Sequence, residues 1–276
     1  MIAGTLITIR EGLEAFLIVG ILLGYLTKIK RTQFKVHIWI GTLAALAVSV
    51  LLAILFQYMA FQFEGAAAEL FEAVVALLAV GVLTWMVLWM QRQSRGIKGE
   101  LEQKADAAVS SGQALALGSL AFVSVLREGV ETALFLSALL VTSRDAQLFS
   151  GALLGLAISA VITYLLFRSA IRLNLRNFFI VTGIFLILIA AGLIGHSMMA
   201  LQDIGWLPIG TTIAWNLQGF ISNDGLAGRL LHAFFGYEAA PTLLMVAAYA
   251  LYVIFFGGQF YNAIRQGVST SPARSV

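Results

Sequence analysis

Apolar residues run along this chain in long blocks, and charged residues gather in the short stretches between them. Seven blocks stand out, roughly 2–26, 36–58, 68–90, 114–141, 148–167, 178–200 and 241–262. A helix of about 20 residues crosses the roughly 30 Å hydrocarbon layer of a bilayer. Every block reaches that length, so the pattern predicts an all-α, polytopic membrane protein with seven transmembrane helices. The first block is apolar enough to pass for a secretory signal. Arg10, Glu11 and Glu14 interrupt it, however, and no basic segment precedes it, so it reads as a first transmembrane helix.

Composition points the same way. Of 276 residues, 60% are hydrophobic and 11% charged, with a mean hydropathy of +0.93. A soluble domain carries about 25% charged residues, so this chain has too few to cover a water-facing surface. The 26 glycines suit transmembrane helices. The absence of cysteine excludes thiolate metal chemistry. The net charge of +3 implies no nucleic-acid partner, because the basic residues lie between the apolar blocks.

Those basic residues set an orientation. Lys28, Lys30, Arg31 and Lys35 follow block one, and Arg92, Arg95, Lys98 and Lys104 follow block three. Arg168, Arg172 and Arg176 follow block five, and Arg265 and Arg274 follow block seven, which places 13 of the 17 basic residues on one side. The positive-inside rule then predicts a multi-pass protein of the cell membrane with its N-terminus out and its C-terminus in. The outer side carries Glu64, Asp145, Asp203, Asp224 and Glu238 against Arg144 and Arg229. This is either an acidic mouth that attracts cations or the ordinary polarity of loops.

One hexapeptide recurs. Ile9-Arg10-Glu11-Gly12-Leu13-Glu14 in block one returns as Leu126-Arg127-Glu128-Gly129-Val130-Glu131 in block four. Blocks one and four cross the membrane in opposite directions, as in an inverted-topology repeat of spans 1–3 and 4–6. The predicted organisation is a single integral membrane domain, 1–276. Repeat one is 1–90, a cytoplasmic loop 91–113, repeat two 114–200, an outer loop 201–240, the last helix 241–262 and a cytoplasmic tail 263–276. Inverted repeats place the substrate near the bilayer midplane, at the repeat interface, and both motifs fall mid-span.

The motifs are costly. A charge at the centre of a transmembrane helix costs roughly 2.5–3.5 kcal/mol, against about 0.3–0.6 gained per large aliphatic residue. Glu11 and Glu14 are three apart and share a helix face, as do Glu128 and Glu131. Gly12 and Gly129 leave room for close helix approach. If the two faces meet, four carboxylates converge in a low-dielectric interior, where only a cation or the arginines can keep them ionised. A multivalent metal ion held by Glu11, Glu14, Glu128 and Glu131, with Arg10 and Arg127 in support, meets that demand. The plainer reading pairs Arg10 with Glu14 and Arg127 with Glu131 as structural ion pairs.

Glu69 and Glu72 form a third pair with the same spacing at the outer start of span three, with Glu64 just before it. They read as an outer access site for metal, or as acids favouring a helix N-terminus. His196, near the outer end of span six and followed by Asp203, is a further candidate ligand or a hydrogen-bonded structural residue. His37 and His232 read as interfacial, and Trp39, Trp85 and Trp89 as part of an inner aromatic belt. Carboxylate oxygens suit iron, manganese, magnesium or calcium, ferric ion especially, rather than Cu(I).

The two R-E-G-[LV]-E motifs resemble those of the oxidase-dependent iron permease family, which includes the fungal high-affinity and the bacterial Efe-type permeases. Phe71-Glu72-Ala73 with the run to Trp89-Met90, Gly205-Trp206-Leu207-Pro208, and Phe235-Gly236-Tyr237 are also similar to family members. The resemblance implies iron transport, with the four motif glutamates as iron ligands, the arginines in support, and a separate extracytoplasmic oxidase or iron-binding partner. It implies iron, ferric or ferrous, as the transported substrate, and no organic cofactor. No G-x-x-x-x-G-K-[ST] loop is present. The membrane potential alone supplies roughly 7 kcal/mol to a trivalent cation at 100 mV. Alternatives are a transporter of manganese, lead or another divalent metal, and a metal-binding sensor or assembly subunit. A di-iron oxidase is disfavoured because the residue three after Glu11, Glu69 and Glu128 is glutamate, never histidine. An intramembrane protease is disfavoured because no H-E-x-x-H pattern occurs.

The charge bias is tested by reporter fusions. Those after Arg31 and after Arg176 are expected to be cytoplasmic, and one near Asp224 external; a cytoplasmic signal from the last would overturn the orientation.

Overall fold

The computed structural model describes residues 2–93, 97–110, 114–143, 147–168, 175–223 and 225–269. Among them, nine α-helices account for most of the chain: α1 Ile2–Lys28, α2 Lys35–Gln62, α3 Ala66–Gln93, α4 Ile97–Ser110, α5 Ala114–Ser143, α6 Leu148–Arg168, α7 Leu175–Asp203, α8 Leu226–Phe235 and α9 Leu243–Ser269. The β pairing among the described residues is a single isolated bridge, Ile213 to Thr242. The protein is all-α. Arg144, Asp145, Arg172, Asp224 and Arg274, used above to argue orientation, lie outside the described residues, as does Arg95.

Seven helices, α1–α3, α5–α7 and α9, coincide with the seven apolar blocks and hold 21 to 30 residues each. At about 1.5 Å per residue, the shortest still spans the hydrocarbon layer. Five of them are long and apolar enough to cross a membrane by composition. The other two are α1 and α5, which carry the charged motifs. Val36, Ile40, Leu43, Leu51 and Ile54 on α2, and Leu251, Ile254 and Phe255 on α9, face outward. Apolar stripes of that extent are unsuited to water and suited to lipid.

Two of the segments between the apolar blocks hold α-helices, and the last helix outruns its block. The segment 91–113 contains α4, whose Leu101, Ala105 and Ala108 form a buried stripe against Leu22, Leu26 and Leu117. A polar helix with one narrow apolar face is easily read as a loop. The segment 201–240 contains α8, and the last helix continues to Ser269, past the expected start of the tail.

The helices pair across the two halves rather than within them. The most extensive contacts join α2 to α5 and α1 to α6. Within each pair the helices run parallel: Gly4 meets Leu148 and Gly20 meets Phe167, while Gly41 meets Gly118 and Gly129 meets Ser49. Exchanging α1 with α5 and α6 with α2 turns one pair into the other. The match extends to the motifs, because Gly12 lies against Ser159 of α6 as Gly129 lies against Ser49 of α2. Both serines turn their hydroxyls back onto their own helices, Ser159 to Leu156 O and Ser49 to Ala45 O, each at 2.8 Å. Thr5 Oγ1 adds a hydrogen bond to Gly151 O at 2.9 Å.

Two apolar cores result. One gathers α3, α7 and α9 around Ile7 and Phe135; the other gathers α1, α2, α4 and α5 around Leu22, Ile38 and Leu117. Along α1 the first core ends at Ile7 and the second begins at Ile18; along α5 the second ends at Val125 and the first resumes at Phe135. Both charged motifs fall in the layer between.

Glycine-dependent approach is checked by substitution. A Cβ at Gly41 would meet Gly118 O and one at Gly155 would meet Thr5 O, whereas Gly81 has open space. Gly41→Val and Gly155→Val are expected to destabilise the detergent-solubilised protein by about 1–3 kcal/mol, with Gly81→Val close to wild type in thermal melts. Equal melting of all three would refute the close-packing account.

Candidate metal centre

Helical spacing puts Arg10, Glu11 and Glu14 on the part of α1 that faces α5 and α3, and burial is nearly complete for all three. Arg10 Nη1 donates to Glu11 Oε1 at 2.7 Å, and Nη2 lies 3.3 Å from Glu14 Oε1. The same guanidinium reaches across to α3, where Met86 Sδ and Met90 Sδ lie 3.1 and 2.7 Å from Nη1 and Nη2. Thioether sulfur is a weak acceptor, so these contacts pack the cation more than they satisfy it.

On α5 the pattern repeats with one difference. Arg127 Nε donates to Glu128 Oε1 at 2.9 Å, Nη2 also contacts that oxygen, and Nε lies 3.8 Å from Glu131 Oε1. Glu128 and Glu131 are buried. The Arg127 side chain keeps 40% of its surface exposed, against 2% for Arg10. Its guanidinium sits 5.1 Å above the ring of Trp89, itself stacked on Trp85. Such a contact contributes roughly 0.5–1 kcal/mol where water reaches it and about 2 kcal/mol where it is desolvated.

The antiparallel approach of α1 and α5 joins the motifs. One carboxylate oxygen each from Glu11, Glu128 and Glu131 lie within 4.8 Å of one another. Glu14 is not in that group and stays with Arg10. The arginines use only part of the carboxylates' capacity. Glu11 Oε2, Glu14 Oε1, Glu128 Oε2 and Glu131 Oε2 are all buried with no hydrogen-bond partner among the described residues. Buried acceptors left in that state cost about 1–3 kcal/mol each, more when charged, unless water or an ion satisfies them.

The remaining candidates lie elsewhere. Glu69 and Glu72 are half-buried in the first two turns of α3 and Glu64 is exposed just before it, outside the carboxylate cluster. Asp203 is exposed at the end of α7. His196 does not approach the motif glutamates; it meets His232 of α8 and Glu238 instead. The sequence reading missed Met86, Met90 and the role of Trp89, which it placed in a belt. Nothing local marks a methionine as an arginine's neighbour 76 or 80 residues away. The i,i+4 spacing of Met86 with Met90 on an otherwise Leu/Val-rich face was the only available signal.

The ion pairs differ in burial, and their removal should differ accordingly. Arg10→Ala leaves Glu11 and Glu14 buried without a cation and is expected to destabilise by about 3–5 kcal/mol. Arg127→Ala is expected to cost less, because its side chain, 40% exposed against 2% for Arg10, gives up fewer protein contacts. Adding Glu11→Gln to Arg10→Ala should restore part of the loss. Equal melting temperatures for the two arginine variants would contradict the assignment.

A family model described as the iron permease FTR1 family matches residues 1–266. The chain is 39% identical over 253 residues to a ferrous iron permease EfeU of Escherichia coli O6:H1, covering 90% of this chain and 91% of that protein. It is equally similar to the ferrous iron permease EfeU of Shigella sonnei. Identity to the Yersinia pestis ferrous iron permease EfeU is 35% over 251 residues, 90% of this chain and 89% of that one. No solved structure matches the chain.

Proposed function

The chain belongs to the iron permease FTR1 family, and from that premise we propose that it carries ferrous iron across the membrane on one site shared by its two glutamate motifs. Transport of iron by a multi-pass membrane protein is the family's activity.

The observation that carries it is the set of buried oxygens with no hydrogen-bond partner among the described residues, one on each of the four motif glutamates. Glu11, Glu128 and Glu131 already converge within the reach of a single ion, and Glu14 stands one turn along α1. Charge supports a divalent cargo: two arginines facing four ionised glutamates leave two negative charges, which one ferrous ion balances. The relatives described above are named as ferrous iron permeases. At 100 mV, inside negative, a divalent cation gains about 4.6 kcal/mol on entry.

The crossing pattern we propose has seven spans, N-terminus out, with repeats at 1–90 and 114–200 followed by α9. The symmetry-related pairing of α1 with α6 and α5 with α2 supports the inverted repeat. The three motif charges in each of α1 and α5 set these two helices apart from the five that are long and apolar enough to cross a membrane by composition. Glu69 and Glu72 remain proposed as an outer access point, since they are half-buried at the outer start of α3. An oxidase or iron-binding partner would be a separate protein on that side.

Uptake of radioactive iron into proteoliposomes, with ferrous and ferric forms supplied separately, tests the shared site. Glu11→Ala and Glu128→Ala should each nearly abolish ferrous uptake, and the double variant should be little worse than either, because groups acting as a unit are non-additive. Membrane levels of each variant are measured alongside. Partial losses that multiply in the double variant would mean two independent sites.

A further inference from the structure

α7 and α8 meet at a pair of glycines. Gly236 caps α8 in the left-handed conformation, φ 63°, where glycine is unstrained. It lies so close to Gly192 of α7 that a Cβ on either would overlap the other's backbone. His196 stands one turn beyond Gly192, and His232 one turn before Gly236. The glycine contact therefore brings the two imidazoles together, with ring centroids 4.8 Å apart and planes inclined by 58°. Glu238 follows two residues after the cap. One donor atom each from His196, His232 and Glu238 lie within 4.8 Å of one another. Two ligands on opposite sides of one ion, each at about 2.1 Å, stand about 4.2 Å apart, so small side-chain adjustments close the set.

The surroundings prepare each group as a ligand. His232 Nδ1 lies 3.0 Å from Tyr237 O. A carbonyl can only accept, so Nδ1 carries the proton and Nε2 presents a lone pair. A backbone carbonyl on the second nitrogen is the usual support of a metal-bound imidazole. His196 Nε2 is enclosed and has no hydrogen-bond partner among the described residues. Glu238 Oε1 accepts from Asn223 Nδ2 and from the Ala239 N–H. Asn223 Oδ1 in turn accepts from Ala239 N at 3.0 Å, and Tyr237 Oη donates to Ile221 O at 3.0 Å, pinning the loop. Glu238 also borders a cavity lined by Trp215, Tyr237, Pro241 and Tyr249.

We propose that His196, His232 and Glu238 form a second metal site, separate from the glutamate motifs, that receives ferrous iron on the side of the membrane bearing α8. Two imidazoles and one carboxylate with open positions select first-row divalent ions, ferrous iron among them, over calcium, magnesium or the all-oxygen environment suited to ferric ion. The existence of the site rests on its own geometry; only the identity of its natural occupant rests on the iron-permease reading.

The test uses cobalt(II), whose visible absorption reports nitrogen ligation, with the purified full-length protein in detergent. In the Glu11→Gln/Glu128→Gln variant, which disables the motif site, one cobalt ion per chain is expected to remain. His196→Gln, His232→Gln or Glu238→Gln added to that background should weaken its binding at least about tenfold. Glu238→Gln is nearly isosteric and leaves the Gly192–Gly236 contact in place, so it separates loss of a ligand from loss of the fold. In otherwise unaltered protein, Glu238→Gln should raise the ferrous concentration for half-maximal uptake while maximal uptake is largely kept. Absence of cobalt from the motif-site variant, or cobalt binding indifferent to all three substitutions, overturns the proposal. Retained uptake in the motif-site variant would instead sink the shared glutamate site and leave this one standing.

Discussion

Burial of five charged side chains in one thin layer, with Arg127 half-buried beside them, is the constraint on which the rest of this structure depends. Arg10, Glu11 and Glu14 on α1 face Arg127, Glu128 and Glu131 on α5, with an apolar core on either side of them. Removing such groups from water costs several kcal/mol per ion, and mutual attraction offsets this only when geometry is close. Each arginine is therefore committed to the two glutamates of its own helix, which neutralises part of the layer without using up the carboxylates.

Close geometry needs close backbones, and the glycines supply it. Gly12 and Gly129 sit inside the charged motifs, where their missing side chains admit Ser159 and Ser49 of the facing helices. The same residues that make the motif recognisable thus also lock α1 onto α6 and α5 onto α2. The scaffold of α3, α7 and α9 contributes differently: Met86, Met90 and Trp89 pack the arginines with polarisable surface rather than with acceptors. That choice holds the guanidinium groups in place yet leaves them electrostatically available to the glutamates.

Much of this was legible in the sequence because bilayer thickness imposes its own length on apolar runs, and intramembrane charges are too costly to be incidental. The seven long helices and the two motifs follow from those facts alone, and so does the spacing that sets Glu11 with Glu14 and Glu128 with Glu131. What escaped depends on tertiary contact. α4 was hidden because its stripe of Leu101, Ala105 and Ala108 is too narrow to outweigh its charges. Trp89 fits an interfacial belt by position, and only the fold places Arg127 over it. His196, His232 and Glu238 are spread over 43 positions of sequence, and a glycine-to-glycine contact between separate helices brings them together.

The exchange of partners between the halves also bears on how the protein is made. α1 leaves the ribosome with its three motif charges, and the partner that Thr5 will bind on α6 lies 146 residues downstream. At about 5–20 residues per second, roughly 7 to 30 s pass before that helix exists. Through that interval α1 must stay in or beside the membrane without its final neighbours. Its arginine and both glutamates belong to one helix, so the ion pairs of the folded protein can form within the newborn segment. The motif is thus its own chaperone during insertion, shielding the charges until the second half of the chain arrives to enclose them.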